Sequence, residues 1–513
     1  MLNYTPLLRP YFAHTVAQRS KWSTPAGLES VQRSLLQKLL YRAADTVQGL
    51  QYDYRKLRSY NDYASAVPVS EYEDIRPLVE RMLAGEADIL WPGQCRRFAQ
   101  SSGTSGGKSK YIPVTDASLK LNHYAGGAQA VASYLSIAPH SRLFGGKSFI
   151  LGGSFANELG KLPPGTLVGD LSANLIDAIN PAVNLLRIPQ KSTALLSDWN
   201  VKLPALVEAS LKADITNISG VPSWFLGVLR GALERTGASN IHEVWPNLEV
   251  FFHGGISFAP YREEYNSIMA PGKMCYIENY NASEGFFAVQ DTADSDKGML
   301  LLADSGIFFE FVPLDSLSQA SAAIPAWEVE EGRTYALLIS SCNGLWRYSP
   351  GDTVRIESTS PLRISVAGRT NSYINAFGEE LMVWNAEAAM ARACAATGAR
   401  VANYTAAPVY TSCRTKGHHQ WLVEWTTPPG GGTEKFADIL DRELQAVNSD
   451  YQAKRSSDIF LARLELVTVP TGTFNAWLKS TGRLGGQRKI PRLNNDRRIA
   501  DTILQIAEKN INP

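Results

Sequence analysis

Hydrophobic residues in the first 50 positions recur with helical spacing. Val31, Leu35 and Leu39 are four residues apart, with Leu36 and Leu40 beside them, which predicts an amphipathic helix. From about Phe98 to Ile374, continuous apolar runs such as KSFILGG, LEVFFHGG, GIFFEFVPL and TYALLIS alternate with helical stretches such as WFLGVLRGALERTG. Alternation of this kind predicts a large α/β body, with antiparallel portions.

The pattern changes after the stretch AGRTNSYINAFGEEL. The helix-like VWNAEAAMARACAATG precedes QWLVEWTTPPGGG, and a second helical stretch, EKFADILDRELQAVNSDY, precedes the strand-like IFLARLELVTVP. These segments predict a small α+β unit with a boundary near 368–375. The predicted fold is α/β, with a large multi-sheet N-terminal domain over residues 1–370 and a small α+β C-terminal domain over 371–513.

Composition narrows the class of protein. The 513 residues are 44% hydrophobic and 19% charged, with a formal net charge of +1, so no overall field attracts nucleic acid or an anionic membrane. The five cysteines are far apart and form no CxxC pair, which argues against a disulfide framework or zinc site. The N-terminus shows no apolar signal sequence, and no apolar run approaches the ~18 residues of a membrane span. We therefore expect a soluble, cytoplasmic protein.

The stretch SSGTSGGKSK superficially resembles the phosphate-binding loop of an ATPase. That loop requires a glycine at the position of Ser102, and its lysine opens a helix. Here Lys110-Tyr111-Ile112-Pro113 follows, which is typical of a strand, so the prediction is strand, loop, strand. The loop is nevertheless rich in hydroxyl groups and backbone amides that suit phosphate oxygens. Its candidate phosphate-binding residues are Ser101, Ser102, Gly103, Thr104, Ser105, Gly107 and Lys110.

Three later stretches of the sequence indicate which chemistry this loop serves. ENYNASEGFF ends an apolar segment, GLWRYSPGDTVRI places a turn before a strand, and VAGRTNSYINAFGEE is followed much later by GGQRKIPRL. Taken alone, each has an ordinary explanation, such as a surface pair, turn chemistry or a solvated basic tail. Their order and spacing along one chain are specific.

Together the four stretches resemble the adenylate-forming enzymes, and within them the acyl-acid amido synthetases that conjugate plant hormones to amino acids, with their bacterial relatives. The family's Ser-Ser-Gly-Thr-Ser/Thr-x-Gly-x-x-Lys motif matches Ser101 to Lys110, and its Tyr-x-x-Ser-Glu motif matches Tyr280 to Glu284. The remaining motifs match Tyr348 with Gly351-Asp352, Gly368 to Glu380, and Gln487, Lys489, Pro491 and Arg492. Plant members often carry arginine directly after the third motif's tyrosine, where this chain has Ser349.

The resemblance implies ATP, AMP and Mg²⁺ as ligands and assigns roles to individual residues. The loop holds the β- and γ-phosphates, while Lys110 either adds a charge there or pairs with a surface carboxylate. Glu284 is implied as the magnesium ligand, and Lys489 as the catalytic lysine that orients the carboxylate and α-phosphate. The implied nucleotide-binding residues are Gly254, Gly255, Tyr280, Ser283, Glu284, Asp352 and Arg369. Arg369 has the alternative of an interdomain salt bridge, and Gly368 is the implied hinge because glycine tolerates wide backbone rotation.

The function implied is an ATP-dependent ligase that adenylates a small carboxylic acid and transfers the acyl group to an amine, with an amino acid as the expected acceptor. Two alternatives remain open: transfer to coenzyme A or a carrier-protein thiol, and a nucleotide-binding protein without catalysis. No nucleic-acid or membrane partner is expected. His253 lies in a strand that reads as buried, and His418-His419 has no acid or cysteine at ligand spacing, so none of these histidines receives a catalytic role.

Overall fold

The computed structural model describes residues 2–101, 110–157, 159–255, 258, 261–293, 295–316, 322–369, 373–374, 376, 379, 381–409, 417–448, 451–452, 455, 461–481, 490–494 and 496–511. Within these residues the strands are β1 Arg97–Ser101, β2 Lys110–Pro113, β3 Lys147–Ile150, β4 Leu167–Gly169, β5 Arg187–Ile188, β6 Ile215–Gly220, β7 Val250–Gly254, β8 Cys275–Ala282, β9 Gly285–Val289, β10 Met299–Leu301, β11 Ile307–Pro313, β12 Ile324–Pro325, β13 Thr334–Ser341, β14 Asp352–Thr359, β15 Leu362–Arg369, β16 Tyr373–Ile374, β17 Leu381–Met382, β18 Arg400–Val409, β19 His418–Thr427 and β20 Glu465–Thr468.

The α-helices of the same residues are α1 Thr5–Gln18, α2 Pro25–Ala43, α3 Val47–Gln51, α4 Tyr60–Ala66, α5 Tyr72–Leu83, α6 Asp116–Ser118, α7 Tyr124–Ile137, α8 Leu171–Ala178, α9 Pro181–Asn184, α10 Lys191–Ala194, α11 Trp199–Leu211, α12 Pro222–Thr236, α13 Ile241–Val244, α14 Arg262–Ile268, α15 Val383–Thr397, α16 Thr433–Val447, α17 Thr473–Ser480 and α18 Arg498–Ile511. The helix predicted around Val31 is α2, which begins after the N-cap Thr24. None of the described helices is long and apolar enough to cross a membrane.

A large mixed sheet forms the centre of the N-terminal domain. Among the described residues it has 12 strands in the order β12-β11-β13-β14-β15-β10-β9-β8-β7-β6-β3-β5. Strands β5, β3, β6, β7 and β8 run parallel, whereas β8 and the strands beyond it pair antiparallel. The apolar runs predicted as strands are β3, β7, β11 and β13, so the predicted α/β body with antiparallel portions is confirmed.

A smaller sheet carries the SSGTSGGKSK stretch. β1 pairs antiparallel with β2, with Ser101 opposite Lys110, and parallel with β4. The predicted strand, loop, strand order is therefore confirmed, and no helix follows Lys110 directly. Phe98 and Ile112 are fully buried in the same hydrophobic cluster as Tyr280 and Phe287 of the large sheet. The two sheets thus share one core, which fixes the ends of the loop relative to β8.

The C-terminal domain has its own core and a three-stranded sheet in the order β18-β19-β20. Helices α15 and α16 pack on it through a cluster whose buried members all come from residues 374 onward. A second cluster joins α17 and α18 to residues of β18 and β19. The predicted fold class, a large multi-sheet domain followed by a small α+β domain, is confirmed, whereas the boundary at residues 370 and 371 stays a prediction.

Candidate active site

The candidate site lies at the carboxyl edge of the parallel strands. β6, β7 and β8 are neighbours in this part of the large sheet, and the chain leaves β7 at Gly254-Gly255. Ligands of open α/β sheets bind at this edge because the loops that follow the strands meet there. The structure places Gly254, Gly255 and the end of β8 at this edge, and their nucleotide-binding role stays a prediction.

Gly254 is required by a close approach of two strands. It pairs with Asn279 of β8, and a side-chain Cβ at this position would overlap the Asn279 carbonyl oxygen. Gly255 follows with φ of +83°, a conformation that L side chains rarely adopt. The two glycines bring the chain close to β8 directly beside Tyr280.

Tyr280 and Asp352 form the central contact of the site. The Tyr280 hydroxyl donates a hydrogen bond of 2.6 Å to Oδ2 of Asp352, and both residues are less than 10% exposed. A hydrogen bond to a charged group contributes about 1.5–3 kcal/mol and fixes both side chains. Tyr280 is further held by Phe287, whose ring centroid lies 4.8 Å away in an edge-on arrangement.

Ser283 and Glu284 form the two-residue turn between β8 and β9. Ala282 pairs with Gly285 on either side of this turn. The Glu284 carbonyl accepts a hydrogen bond of 3.1 Å from the Asn343 side-chain amide, and Glu284 is 7% exposed. Because the hairpin is short and the Glu284 carbonyl is hydrogen-bonded, the backbone that carries the Glu284 side chain has a fixed position four residues after Tyr280. Among the described residues, no cluster of three or more His, Cys, Asp and Glu side chains is arranged to hold a metal.

Asp352 is the first residue of β14, and it pairs with Arg369 at the end of β15. The pairing brings the backbone of Arg369 beside Asp352, while the Arg369 side chain lies outside the described part. Gly368 pairs with Thr353, and the backbone nitrogen of Val383 at the start of α15 lies 3.4 Å from where a Cβ of Gly368 would be. The predicted hinge is therefore the end of a strand that already touches the C-terminal domain, and its role stays a prediction.

The remaining predicted residues are placed only in part. Lys110 starts β2, with its ammonium 5.9 Å from the centre of the Tyr72 ring. The Tyr72 hydroxyl also accepts a hydrogen bond of 2.7 Å from the backbone of Tyr111, which holds the start of β2 against α5. The structure describes Ser101 by its backbone. The residues predicted to contact phosphate or reactants that lie outside the described part are Ser102, Gly103, Thr104, Ser105, Gly107 and Lys489.

Arg347 anchors the turn that precedes Asp352, and the sequence analysis assigned it no role. Arg347 is 3% exposed and has φ of +43°, and its Nε lies 3.0 and 3.2 Å from the two carboxylate oxygens of Glu310. Its Nη1 donates to the carbonyls of Ala64 and Val67 at 2.8 and 2.9 Å. Because these contacts occupy the guanidinium, Arg347 is a structural anchor for the turn and does not replace the arginine that plant relatives carry at the position of Ser349.

Comparison with known proteins identifies the family. The sequence matches the GH3 family N-terminal domain over residues 26–200, its central domain over 300–369 and its C-terminal domain over 384–498. The chain belongs to the GH3 family. It is 22% identical to indole-3-acetic acid-amido synthetase GH3.4 of Arabidopsis thaliana and 23% identical to GH3.8 of Oryza sativa subsp. indica. The alignments cover 90% and 91% of this chain and 89% and 88% of the two relatives.

Solved structures agree with the GH3 fold. The structure of AtGH3.15 acyl acid amido synthetase in complex with 2,4-DB matches with a TM-score of 0.77 at 18% identity, covering 97% of this chain and 95% of that one. A 2-hydroxyisobutyryl-CoA ligase in the postadenylation state matches with a TM-score of 0.60 at 13% identity, covering 96% and 94%. The GH3 chain therefore shares the fold of these two enzymes over nearly its whole length.

His253, His418 and His419 each lie close to another side chain of the chain. His253 is 3% exposed and stacks on Phe258 with 4.4 Å between ring centroids. His419 and Glu379 are fully buried and lie 2.7 Å apart, and His418 lies 3.2 Å from Glu465. The sequence missed both acids because they are 40 and 47 residues away from their histidines.

We expect His253 to make the GH3 chain less stable in acid. Burial, and secondarily the nearby Arg262 cation, lower the pKa of His253 to about 3. An unfolded histidine has a pKa of about 6.5, so between these values the unfolded chain binds a proton that the folded chain does not. The free energy of unfolding then falls by up to about 1.4 kcal/mol per pH unit as the pH drops below 6.5.

Urea unfolding at pH 6.5 and pH 4.5 measures this effect. When the pH falls from 6.5 to 4.5, the free energy of unfolding should drop by about 2 kcal/mol less in His253→Gln than in the wild type. The control is His14→Gln, which removes a histidine that is exposed on the surface. An unchanged pH dependence in His253→Gln would show that His253 is protonated in the folded protein.

Proposed function

We propose that this GH3 protein activates a small carboxylic acid as an acyl adenylate with ATP and transfers the acyl group to an amino acid. The buried Tyr280–Asp352 contact at the carboxyl edge carries the proposal, because it fixes an aromatic ring beside a carboxylate that suits a nucleoside. The names of its relatives support the substrate class: they are amido synthetases of indole-3-acetic acid and of acyl acids.

In the proposed mechanism, each side chain binds or orients one part of the nucleotide. The Tyr280 ring lies against adenine, with the backbone of Gly254-Gly255 lining the same pocket. A carboxylate has about four acceptor positions, so Asp352 accepts hydrogen bonds from the ribose hydroxyls while it holds Tyr280. Arg369, on the strand paired with Asp352, contacts the ribose or a phosphate.

Orientation and charge compensation drive the first half-reaction. The carboxylate of the acid attacks the α-phosphorus of ATP, which forms the acyl adenylate and releases pyrophosphate. The hydroxyl groups and amides of the 101–110 stretch hold the β- and γ-phosphates, and Lys489 aligns the carboxylate with the α-phosphate. Glu284 would hold Mg²⁺ at this site, and the ion would supply positive charge to offset the charge on the leaving pyrophosphate. AMP then leaves when the amine attacks the acyl carbon.

Pyrophosphate release tests the function. The purified protein is incubated with ATP, Mg²⁺ and a panel of carboxylic acids that includes indole-3-acetic acid and 2,4-DB, in separate arms with amino acids, with coenzyme A and with neither. Acid-dependent release together with an acyl–amino acid amide supports the proposal. A thioester formed only in the coenzyme A arm supports the alternative of an acyl-CoA synthetase, and no acid-dependent release in any arm supports a nucleotide-binding protein without catalysis.

Glu284→Gln should weaken the response to magnesium. A neutral amide is a poorer ligand for a hard cation than a carboxylate, so half-maximal activity should require at least about tenfold more Mg²⁺. The measurement is pyrophosphate release against Mg²⁺ concentration at saturating ATP and acid. Glu278→Gln is the control, because Glu278 lies on β8, six residues before Glu284, and has no proposed role. Superimposable curves for wild type and Glu284→Gln would assign the metal to another residue.

A further inference from the structure

His123 is a buried histidine that the mechanism above does not use. It ends the π-helical turn Leu119–His123, a rare geometry that is frequent at functional sites. The residue is 4% exposed, and among the described residues neither Nδ1 nor Nε2 has a hydrogen-bond partner. Burial lowers the pKa of His123 to about 4, so the ring is neutral at pH 7, with one N–H donor and one acceptor nitrogen. Because a buried polar group without a partner lowers stability, packing alone gives no reason for a histidine here.

Asn122, which precedes His123, ties this segment to the hairpin that carries Glu284. The Asn122 side-chain nitrogen donates to the Phe286 carbonyl at 3.0 Å, and its Oδ1 accepts from the Phe286 backbone nitrogen at 2.7 Å. Phe286 comes two residues after Glu284 on β9. The backbone of His123 is therefore held next to the hairpin of the predicted magnesium ligand.

Tyr124, which follows His123, ties the same segment to α8 and through it to β1. The Tyr124 hydroxyl donates to the Leu175 carbonyl of α8 at 2.9 Å. The neighbouring Asn174 donates from its side chain to the Phe98 carbonyl of β1 at 3.1 Å. The segment around His123 is thus joined both to the β8–β9 hairpin and to the strand that leads into the predicted phosphate loop.

Gly127 leaves open space on the face of the helix that carries His123. The two residues are four positions apart, and side chains at this spacing lie one above the other. A Cβ at Gly127 would have no atom of the described residues within 4 Å, whereas a Cβ at Gly126 would overlap the Phe286 ring. Glycine inside a helix is less stable than alanine, so packing explains Gly126 but not Gly127. The space beside Gly127 is available to a bound molecule.

We propose that His123 is a specificity-determining residue that hydrogen-bonds a hydroxyl group on the body of the carboxylic acid, while the apolar part of the acid occupies the space beside Gly127. The inference rests on the proposed function and names its substrate class, a small acid that carries a hydroxyl group apart from its carboxylate. A hydroxyl group both donates and accepts, so it can pair with either nitrogen of a neutral imidazole. An acid without the hydroxyl group leaves the imidazole unpaired, and a site of this kind discriminates against it.

Pairs of acids with the same skeleton test the assignment. Benzoic, phenylacetic and butanoic acid are compared with their monohydroxy derivatives, with ATP and Mg²⁺ present, and pyrophosphate release gives kcat/KM. We expect the wild type to prefer the hydroxylated member of at least one pair by about tenfold or more, and His123→Leu to retain less than about threefold of that preference. His123→Gln keeps a donor and an acceptor, so its preference should lie between the two. The KM for ATP should be the same in all three proteins.

His242→Leu is the matched control. Both ring nitrogens of His242 have partners, because Nε2 donates to the Leu248 carbonyl at 3.0 Å and Nδ1 accepts from the Ala270 backbone nitrogen at 3.1 Å. This variant should unfold at a lower temperature and keep the wild-type preference among acids. His123→Leu should unfold at the wild-type temperature or above it, because it removes two buried nitrogens that lack partners among the described residues.

Gly127→Ala tests the open space independently of the histidine. The added methyl group should raise the KM for the preferred acid by about fivefold or more, because it occupies the space that the acid requires. Gly227→Ala in α12 is the control, since a Cβ at Gly227 also has no described atom within 4 Å. It should leave the KM for the acid unchanged. An unchanged KM in Gly127→Ala would place the acid elsewhere and contradict the inference.

Three further results would overturn the inference: the same preference in His123→Leu as in the wild type, a fall in its unfolding temperature as large as that in His242→Leu, or a change of KM confined to ATP. Failure of the proposed function is distinguishable, because the wild type would then release no pyrophosphate with any acid. In that case, isothermal titration calorimetry of the paired acids with the wild type and His123→Leu still decides whether His123 binds the hydroxyl group.

Discussion

Lys489→Ala should lower the rate of acyl-adenylate formation by about 10²–10³-fold, the usual effect of removing one group that stabilises charge in a transition state. Amide formation from supplied acyl-AMP should be largely unchanged, because the α-phosphate has already reacted by then. Single-turnover assays that start from ATP and, separately, from synthetic acyl-AMP measure the two half-reactions.

Lys479→Ala is the control for the charge of this basic stretch. Lys479 is exposed at the end of α17 and should be dispensable in both half-reactions. Circular dichroism establishes that each variant is folded. An equal loss of both half-reactions in folded Lys489→Ala, or a similar loss in Lys479→Ala, would contradict the assignment of Lys489 to the adenylation step.

Arg347→Met should destabilise the N-terminal domain by about 3–5 kcal/mol, because it leaves the Glu310 carboxylate buried without its cation. Glu310 is fully buried and also accepts a hydrogen bond of 3.0 Å from the Tyr60 hydroxyl. Urea unfolding followed by tryptophan fluorescence measures the loss. Because the same residue anchors the turn before Asp352, affinity for ATP should fall in parallel.

An exposed arginine on β14 provides the comparison. Arg355 lies 3.0 Å from Glu357, and its side chain is 44% exposed, so Arg355→Met should cost less than about 1 kcal/mol. The double variant Arg347→Met with Glu310→Gln should be less destabilised than the sum of its two single changes, since the unpaired charge is removed. A loss in Arg347→Met no larger than that in Arg355→Met would show that the buried pair has little role in stability.

The sequence predicted the elements whose signal is local. β7, β11 and β13 are continuous apolar runs, and α15 and α16 have helical periodicity, so their types follow from a few adjacent residues. The strand, loop, strand order around SSGTSGGKSK was likewise predictable, because Tyr111-Ile112-Pro113 favours a strand. The candidate site residues came from the motifs of the family resemblance, and the structure brings Tyr280, Asp352 and the Arg369 backbone together.

Contacts between distant parts of the chain were not predictable in this way. Tyr280 and Asp352 are 72 residues apart, and their hydrogen bond depends on the order of the strands between them. Arg347 and Glu310 are 37 residues apart and each occupies an otherwise ordinary position in the sequence. A local pattern specifies which side of a strand is buried, but it carries no information about which neighbour will satisfy a buried charge.

The position of β15 in the large sheet has a consequence for synthesis of the chain. β15 lies between β10 and β14, so the sheet has a gap there until residue 369 has left the ribosome. Until then one backbone edge of β10 has no strand beside it and can form hydrogen bonds with strands of other chains. The side chains of β10 are buried in the finished sheet, so they are also exposed during this interval. The strand that closes this gap ends at the predicted hinge, so the N-terminal sheet is complete only when the C-terminal domain begins to emerge.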